Sequence, residues 1–267
     1  MAINKLNGIL VEIIENKEHE VQQRKEQRSL EYLKQEIQTA SPVRDFRGNL
    51  RRGDGPVRLL AEIKAASPSA GKICADFDPA EIALLYEECG AAAISVLTDE
   101  KYFSGVDQHL QAACAAVSLP VLRKDFTIDQ YQLYESRALG ADAVLLMAQV
   151  LTQDTFGHLY EKAYDLGLQV LSEGHTEEQI RFIVSMGAKV IGVNNRNFET
   201  MKTDTKTTLD RRSLIPSDRV LVSQSGMFSR EDVIPLEDAG VDAIQVGTSL
   251  MQNADMKKQF NNLLYSD

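Results

Sequence analysis

Beyond Val57 the chain alternates short, wholly apolar runs with mixed stretches of about ten to fifteen residues, the spacing of repeated βα units around a parallel sheet buried on both faces. The runs Arg58–Ile63, Ala92–Leu97, Pro120–Arg123, Ala143–Met147, Gln169–Ser172, Lys189–Val193, Arg219–Val222 and Ala243–Val246 predict eight strands. The intervening stretches open on helix-capping residues, Asp78 before Pro79, Thr152, Thr176 and Ser229, whose side-chain oxygens accept the orphan N–H groups of a first turn. Four matching strings, Gly90-Ala-Ala-Ala-Ile, Gly140-Ala-Asp-Ala-Val, Gly187-Ala-Lys-Val-Ile and Gly240-Val-Asp-Ala-Ile, each pair a helix-stopping glycine with the strand that follows. These glycines stand about fifty residues apart, room for two βα units in each interval. Eight equal units predict a (β/α)8 TIM barrel, an α/β fold, with a doubly wound open sheet as the alternative.

Ahead of the barrel, Leu6, Leu10, Ile13, Ile14, Lys17 and Val21 recur at helical spacing, so the first forty residues read as an amphipathic helix. The charged stretch from Lys17 to Arg28 is expected to be its solvated face. Ser41-Pro42 and the segment Gly48 to Pro56 then punctuate the chain. The expected organisation is an N-terminal helical extension over 1–45 and a barrel over 46–267.

Composition narrows the partners. The chain has 267 residues, 43% of them hydrophobic, so it can bury a substantial core and is not a disordered tail. Lys and Arg number 29 against 39 Asp and Glu, a net charge of −10, which opposes binding to nucleic acid or anionic lipid. The segment Met1 to Asn7 lacks the basic-then-apolar pattern of a signal peptide, and no apolar run approaches the roughly 18 residues that span a bilayer. A cytoplasmic protein is expected, with no membrane partner; a monomer and a weak homodimer both stay open. Cys74, Cys89 and Cys114 lie far apart and read as small buried thiols.

In a barrel of this kind the chemistry belongs at the C-terminal ends of the strands. Those ends carry polar residues that a packed strand would not choose: Glu62 and Lys64 on one side of the first, Lys124 on the third, Ser172-Glu173 on the fifth, and Asn194-Asn195-Arg196 on the sixth. A single such residue is ordinarily a side chain emerging into solvent. Together, Glu62, Lys64, Lys124, Glu173, Asn194 and Arg196 converge on one mouth with the mixture of acids and bases that proton transfer requires. Neighbouring ammonium groups disfavour each other's charge while a facing carboxylate opposes this, so a lysine there can act as a general acid.

The last two strands end differently, in Ser223-Gln224-Ser225-Gly226 and Gly247-Thr248-Ser249. Small residues let backbone N–H groups approach an anion, and a helix begun at Thr248 adds its positive end, the usual barrel phosphate site. A phosphorylated small molecule is the expected ligand. His175 has no companion ligands at useful spacing, so no metal is expected, and no phosphate-loop or dinucleotide glycine motif points to a nucleotide cofactor.

The chain resembles the indole-3-glycerol phosphate synthase family in Gly8-Ile9-Leu10, Ala61-Glu-Ile-Lys-Ala-Ala-Ser-Pro-Ser69, Ser95-Val-Leu-Thr-Asp-Glu-Lys-Tyr-Phe103, Leu122-Arg-Lys-Asp-Phe126, Ile191-Gly-Val-Asn-Asn-Arg-Asn197 and Gly247-Thr-Ser-Leu-Met251. The resemblance implies a carboxy-lyase of tryptophan biosynthesis. Its substrate, 1-(2-carboxyphenylamino)-1-deoxyribulose 5-phosphate, closes to indole-3-glycerol phosphate with loss of CO2 and water, without cofactor or metal. By the same resemblance Lys124 is the general acid at the ketone, Lys64 holds the anthranilate carboxylate, Glu173 is the later acid/base, and Glu62 orients or deprotonates. Asn194, counted with the catalytic group, and Arg196 position the substrate. Ser225, Gln224, Ser67 and Phe103 contact it, and Gly226, Gly247, Thr248 and Ser249 hold the phosphate. Four positions depart from the family's text: Gln224 stands for a glutamate, Ala70 for a lysine, Gly174 for a bulkier residue, and Val106 breaks a small polar pair. A diverged, non-catalytic phosphosugar-binding barrel and another phosphate-binding isomerase or epimerase are the competing readings.

Overall fold

A computed structural model of the chain describes residues 3–67, 71–73 and 77–265. Strand β1 (Arg58–Ile63) leads into a short antiparallel hairpin, β2 (Ala66–Ser67) and β3 (Gly71–Lys72). Then come β4 (Ala93–Leu97), β5 (Val121–Lys124), β6 (Ala143–Met147), β7 (Gln169–Gly174), β8 (Val190–Asn194), β9 (Val220–Gln224) and β10 (Ala243–Val246). Outside the hairpin the strands pair in parallel in the order β1-β10-β9-β8-β7-β6-β5-β4, and β1 pairs with β4, so eight strands close a barrel. The expected barrel is therefore present and the open sheet is excluded.

Helices α1 (Ile9–Gln27), α2 (Leu30–Ile37) and α3 (Phe46–Leu50) precede β1. Around the barrel run α4 (Pro79–Glu88), α5 (Glu100–Phe103), α6 (Asp107–Ala116), α7 (Gln130–Ala138), α8 (Gln153–Asp165), α9 (Glu177–Ser185), α10 (Lys206–Arg211), α11 (Arg230–Asp238), α12 (Thr248–Met251) and α13 (Met256–Leu264). Their starts follow the capping chemistry: Asp78 accepts from the N–H groups of Ala80 and Glu81, and Thr176 with Gln179 and Ser229 with Asp232 form capping boxes.

The four repeat glycines take φ of +89°, +92°, +77° and +80°. After each, the next N–H reaches back five residues to a helix carbonyl, as Ala91 does to Tyr86 and Val241 to Leu236, which ends the helix and turns the chain into the sheet. Two of the repeats add an aspartate with a second task. Asp142 Oδ2 accepts from Val121 N–H at 2.7 Å, and Asp242 Oδ2 accepts from Leu221 N–H at 2.9 Å, so each joins its own strand to the preceding one at the barrel's N-terminal end. Arg44 closes this end, donating to Asp142 from its backbone N–H at 2.7 Å and from Nε at 2.8 Å. Asp142→Ala leaves Arg44 and the strand N–H without their shared acceptor, and is expected to cost about 3 kcal/mol in urea unfolding without altering turnover, since it lies at the opposite end from the cavity described below.

Two expectations fail near the N-terminus. The first forty residues form two helices, not one, broken where Ser29 caps α2. Nor is the whole stretch Lys17 to Arg28 a solvated face: Glu18, His19, Gln22, Gln23, Glu26 and Gln27 are exposed, but Lys17 is 1% exposed, and its ammonium lies 3.0 Å from Asp99, 2.8 Å from Asp125 and 2.8 Å from Glu20. Helical periodicity puts Lys17 on the stripe of Leu10, Ile13, Ile14 and Val21, which faces the barrel, and the aspartates at the ends of β4 and β5 compensate its charge there. Arg24 likewise turns inward to Asp107 and Glu135. The cysteines also differ from expectation: Cys89 and Cys114 are half-buried, and Cys74 lies outside the described residues. Burial pushes the Cys114 thiol up to about 12.

Candidate active site

The strands alternate in and out, so every second side chain at their C-terminal ends points to the barrel axis. There they line a cavity whose open space, the solvent at its mouth included, is about 930 Å³. Glu62 from β1 and Lys64 just past it, Lys124 from β5, Glu173 from β7, Asn194 from β8 and Gln224 from β9 contribute its polar walls, with Arg196, Ser225, Gly226 and Gly247 from the loops beyond and Thr248 and Ser249 from the start of α12. Phe103, Leu97, Met147, Phe198 and Phe228 supply apolar surface suited to an aromatic ring. Of the catalytic, substrate-binding and phosphate-binding candidates expected from the sequence, the cavity gathers all except Ser67, whose side chain, like Ala70, lies outside the described residues.

The two lysines share one carboxylate. Lys64 Nζ lies 2.6 Å from Glu62 Oε1, and Lys124 Nζ lies 3.3 Å from Glu62 Oε2. Burial would raise the Glu62 carboxyl, but the two ammonium groups outweigh it and hold it at about 2, well below its ordinary 4.5. A depressed carboxyl stabilises the fold above its unfolded value and loses that contribution as pH falls through the folded one. Wild type is therefore expected to lose stability relative to Glu62→Gln between about pH 4.5 and 2, read from urea midpoints across that window.

Glu173 faces them across the axis, 4% exposed, accepting from Asn194 Nδ2 at 3.1 Å and Gln224 Nε2 at 2.8 Å. Asn194 Oδ1 in turn accepts from Arg196 N–H at 3.0 Å and Ser225 Oγ at 3.2 Å, so one amide ties the acid to the loops above it. The Nε–H of Arg196 is buried without an acceptor among the described residues, a donor at the edge of the cavity. Ser225 and Gly226 take φ of +70° and +93°, and a Cβ at Gly226 would meet the Thr203 methyl at 2.7 Å, so glycine is required for this turn. His175 has its Nδ1 2.7 Å from the Asn194 carbonyl oxygen and stands outside the cavity lining.

One departure from the family's text has a visible local cause. A Cβ at Gly174 would lie 3.0 to 3.2 Å from Ile180, Ile183 and Gln179, so these neighbours already fill the space of a bulkier residue. Val106, by contrast, stands as the N-cap of α6 without a side-chain hydrogen bond. The main residue that sequence reasoning missed is Gln245, which is 3% exposed and lines the cavity floor. Its signal was present: one polar residue in the otherwise apolar run Ala243-Ile-Gln-Val246.

Comparison with known proteins adds to this geometry. A family profile described as indole-3-glycerol phosphate synthase matches residues 10–263. Proteins named indole-3-glycerol phosphate synthase from Chlorobium luteolum and Geobacillus thermodenitrificans are 42% and 46% identical to the chain. The first alignment covers 92% of this chain and 94% of the relative, the second 84% and 87%. Among solved structures, 3-hexulose-6-phosphate synthase from Salmonella typhimurium superposes with a TM-score of 0.60 at 13% identity, covering 78% of this chain and 96% of the other, which is a likeness of fold alone.

Proposed function

The chain belongs to the indole-3-glycerol phosphate synthase family, carboxy-lyases of tryptophan biosynthesis, and from that premise we propose how its own residues carry the ring closure. The observation that carries the reading is the Lys64–Glu62–Lys124 triad facing Glu173 across one cavity. Binding a phosphorylated sugar alone does not call for that set.

The phosphate of 1-(2-carboxyphenylamino)-1-deoxyribulose 5-phosphate sits at Gly226, Gly247, Thr248 and Ser249, where the first N–H groups of α12 have no intrahelical acceptors. Lys64 holds the anthranilate carboxylate, and the Nε–H of Arg196 offers a further anion contact. As the aromatic carbon bearing that carboxylate attacks the ketone, negative charge grows on the ketone oxygen and Lys124 delivers a proton to it. Breaking the carbon–carboxylate bond then releases CO2 and returns its electron pair to the ring. Glu173, held by Asn194 and Gln224, serves as acid/base in the loss of water that completes the indole, and Glu62 keeps the two lysines apart in role and position. Ser225 contacts the sugar and Phe103 the aromatic ring.

The test is direct because the chain has no Trp. Adding the substrate is expected to produce indole fluorescence together with one CO2 per indole formed. Tight substrate binding without product would support the non-catalytic barrel, and isomerised substrate without CO2 would support the isomerase reading; either overturns ours. We extend the proposal to a cytoplasmic enzyme, a monomer or weak homodimer by sedimentation velocity, acting on free small molecules in keeping with its pI near 5.0.

A further inference from the structure

Beneath the triad, two glutamines span the barrel floor. Gln224 donates one amide N–H to Glu173 Oε2 at 2.8 Å and the other to Gln245 Oε1 at 2.8 Å. Gln245 donates in turn to Glu62 Oε2 at 2.8 Å and to Ser95 Oγ at 3.2 Å. The result is an unbroken chain from Glu173 on one wall to Glu62 on the other, with both amides almost fully buried, 1% and 3% exposed.

The direction of this chain is enforced. Each carboxylate offers acceptors only, so each must be met by an amide N–H, and turning either glutamine over would set oxygen against oxygen. That requirement accounts for an oddity: Gln224 Oε1 is buried with no partner among the described residues. It lies where a side chain at position 192 would stand, since a Cβ on Gly192 would come within 2.1 Å of it. Glycine at 192 therefore makes the room that lets the Gln224 amide take this orientation. A carboxylate at 224 could not replace the amide, because it would face two acceptors, Glu173 Oε2 and Gln245 Oε1, with no proton to offer.

We propose that Gln245 is a positioning residue for the ring-closure chemistry, acting with Gln224 as a neutral amide relay that holds Glu62 and Glu173 in one mutual geometry. The inference rests on the acid/base roles given above to those two carboxylates. The relay joins two acids on opposite walls without adding a third negative charge. It also makes positions 224 and 245 a coupled pair: the glutamine found where the family's text has glutamate is matched by the glutamine one strand away.

The experiment compares wild type with Gln245→Met, Gln224→Met and the double variant, methionine keeping length and volume while removing the amide. Each single variant is expected to lower kcat about tenfold, the scale of one misdirected hydrogen bond to a charged group, with KM changed less than about threefold. The pH limbs of the rate profile are expected to move in both. The double variant should fall no further than about the worse single, because breaking the relay at either joint breaks the whole. In glutamine-labelled protein, the side-chain amide resonances of Gln245 should shift in Gln224→Met. Wild-type rates and profiles in Gln245→Met, multiplicative losses in the double variant, or unmoved Gln245 resonances would each overturn the proposal. Should Gln245→Met fail to fold, Gln224→Met decides through its kinetics and through the Gln245 resonances. An inactive wild type would sink the functional reading instead, leaving the resonance test to report whether the relay exists.

Discussion

Lys124→Met will lower kcat by about a thousandfold, within the range that one positioned general acid contributes, while KM for the deoxyribulose phosphate changes little. The asymmetry follows from when the lysine acts. Its ammonium is wanted where negative charge develops on the ketone oxygen, an interaction that is stronger in the transition state than in the bound substrate, so its loss falls on turnover rather than affinity. The fold should survive, because Glu62 keeps Lys64 at 2.6 Å and the Gln245 amide at 2.8 Å after Lys124 Nζ is gone, so no charge is left buried alone. Lys64→Met, by contrast, should raise KM strongly, since its assigned partner is the carboxylate of the ground-state substrate. Steady-state indole fluorescence with a parallel melting curve separates these outcomes. A Lys124→Met enzyme within tenfold of wild type would move the acid role elsewhere.

Lys17→Met will destabilise the protein by about 3–5 kcal/mol, the cost of removing one partner from a buried ion network. Lys17 is the cation nearest to Asp99, which is fully buried, and the variant leaves that carboxylate, among the described residues, with only the Tyr102 N–H at 3.0 Å donating to it. Asp125 fares better, keeping Thr98 Oγ1 at 2.6 Å and Arg123 at 3.5 Å. The pH dependence of wild type has two signs. Burial opposes the Lys17 ammonium, but Asp125, Asp99 and Glu20 raise it above its ordinary 10.5, so its contribution is complete below that value and fades as pH climbs past it. Burial likewise opposes the Asp125 carboxylate, but Lys17 and Arg123 hold it well below 3.8, so its contribution is complete above that value and fades as pH falls beneath it. Urea unfolding of Lys17→Met should show both flanks flattened, and adding Asp99→Asn should recover part of the loss by removing the stranded charge. Because Asp125 follows Lys124 directly, α1 also braces the end of β5, and the variant is expected to lose some turnover at temperatures where it remains folded.

The barrel was legible because its determinants are local and repeated. Apolar runs, capping residues and the four glycines each act within one turn of chain, and their agreement specifies the order and number of the elements. The site was legible for a related reason. A polar side chain at the end of an otherwise apolar strand is anomalous in a packed sheet, and Glu62, Lys64, Lys124, Glu173 and Asn194 all carried that mark. Gln245 carried it too, but in the middle of β10, where only neighbours on β1 and β9 show what it does.

What the sequence determined by itself was therefore the periodic architecture and the set of groups brought to one rim. Only the tertiary structure decided their pairings, because charge compensation across a closed barrel joins residues far apart in the chain. Glu62 meets Gln245 at a separation of 183 residues, and Lys17 finds its acids just past the ends of β4 and β5. Helical spacing had already put Lys17 on the apolar stripe of α1. Whether a charge is tolerated there depends on the surface it meets, and that surface is made only when the barrel closes.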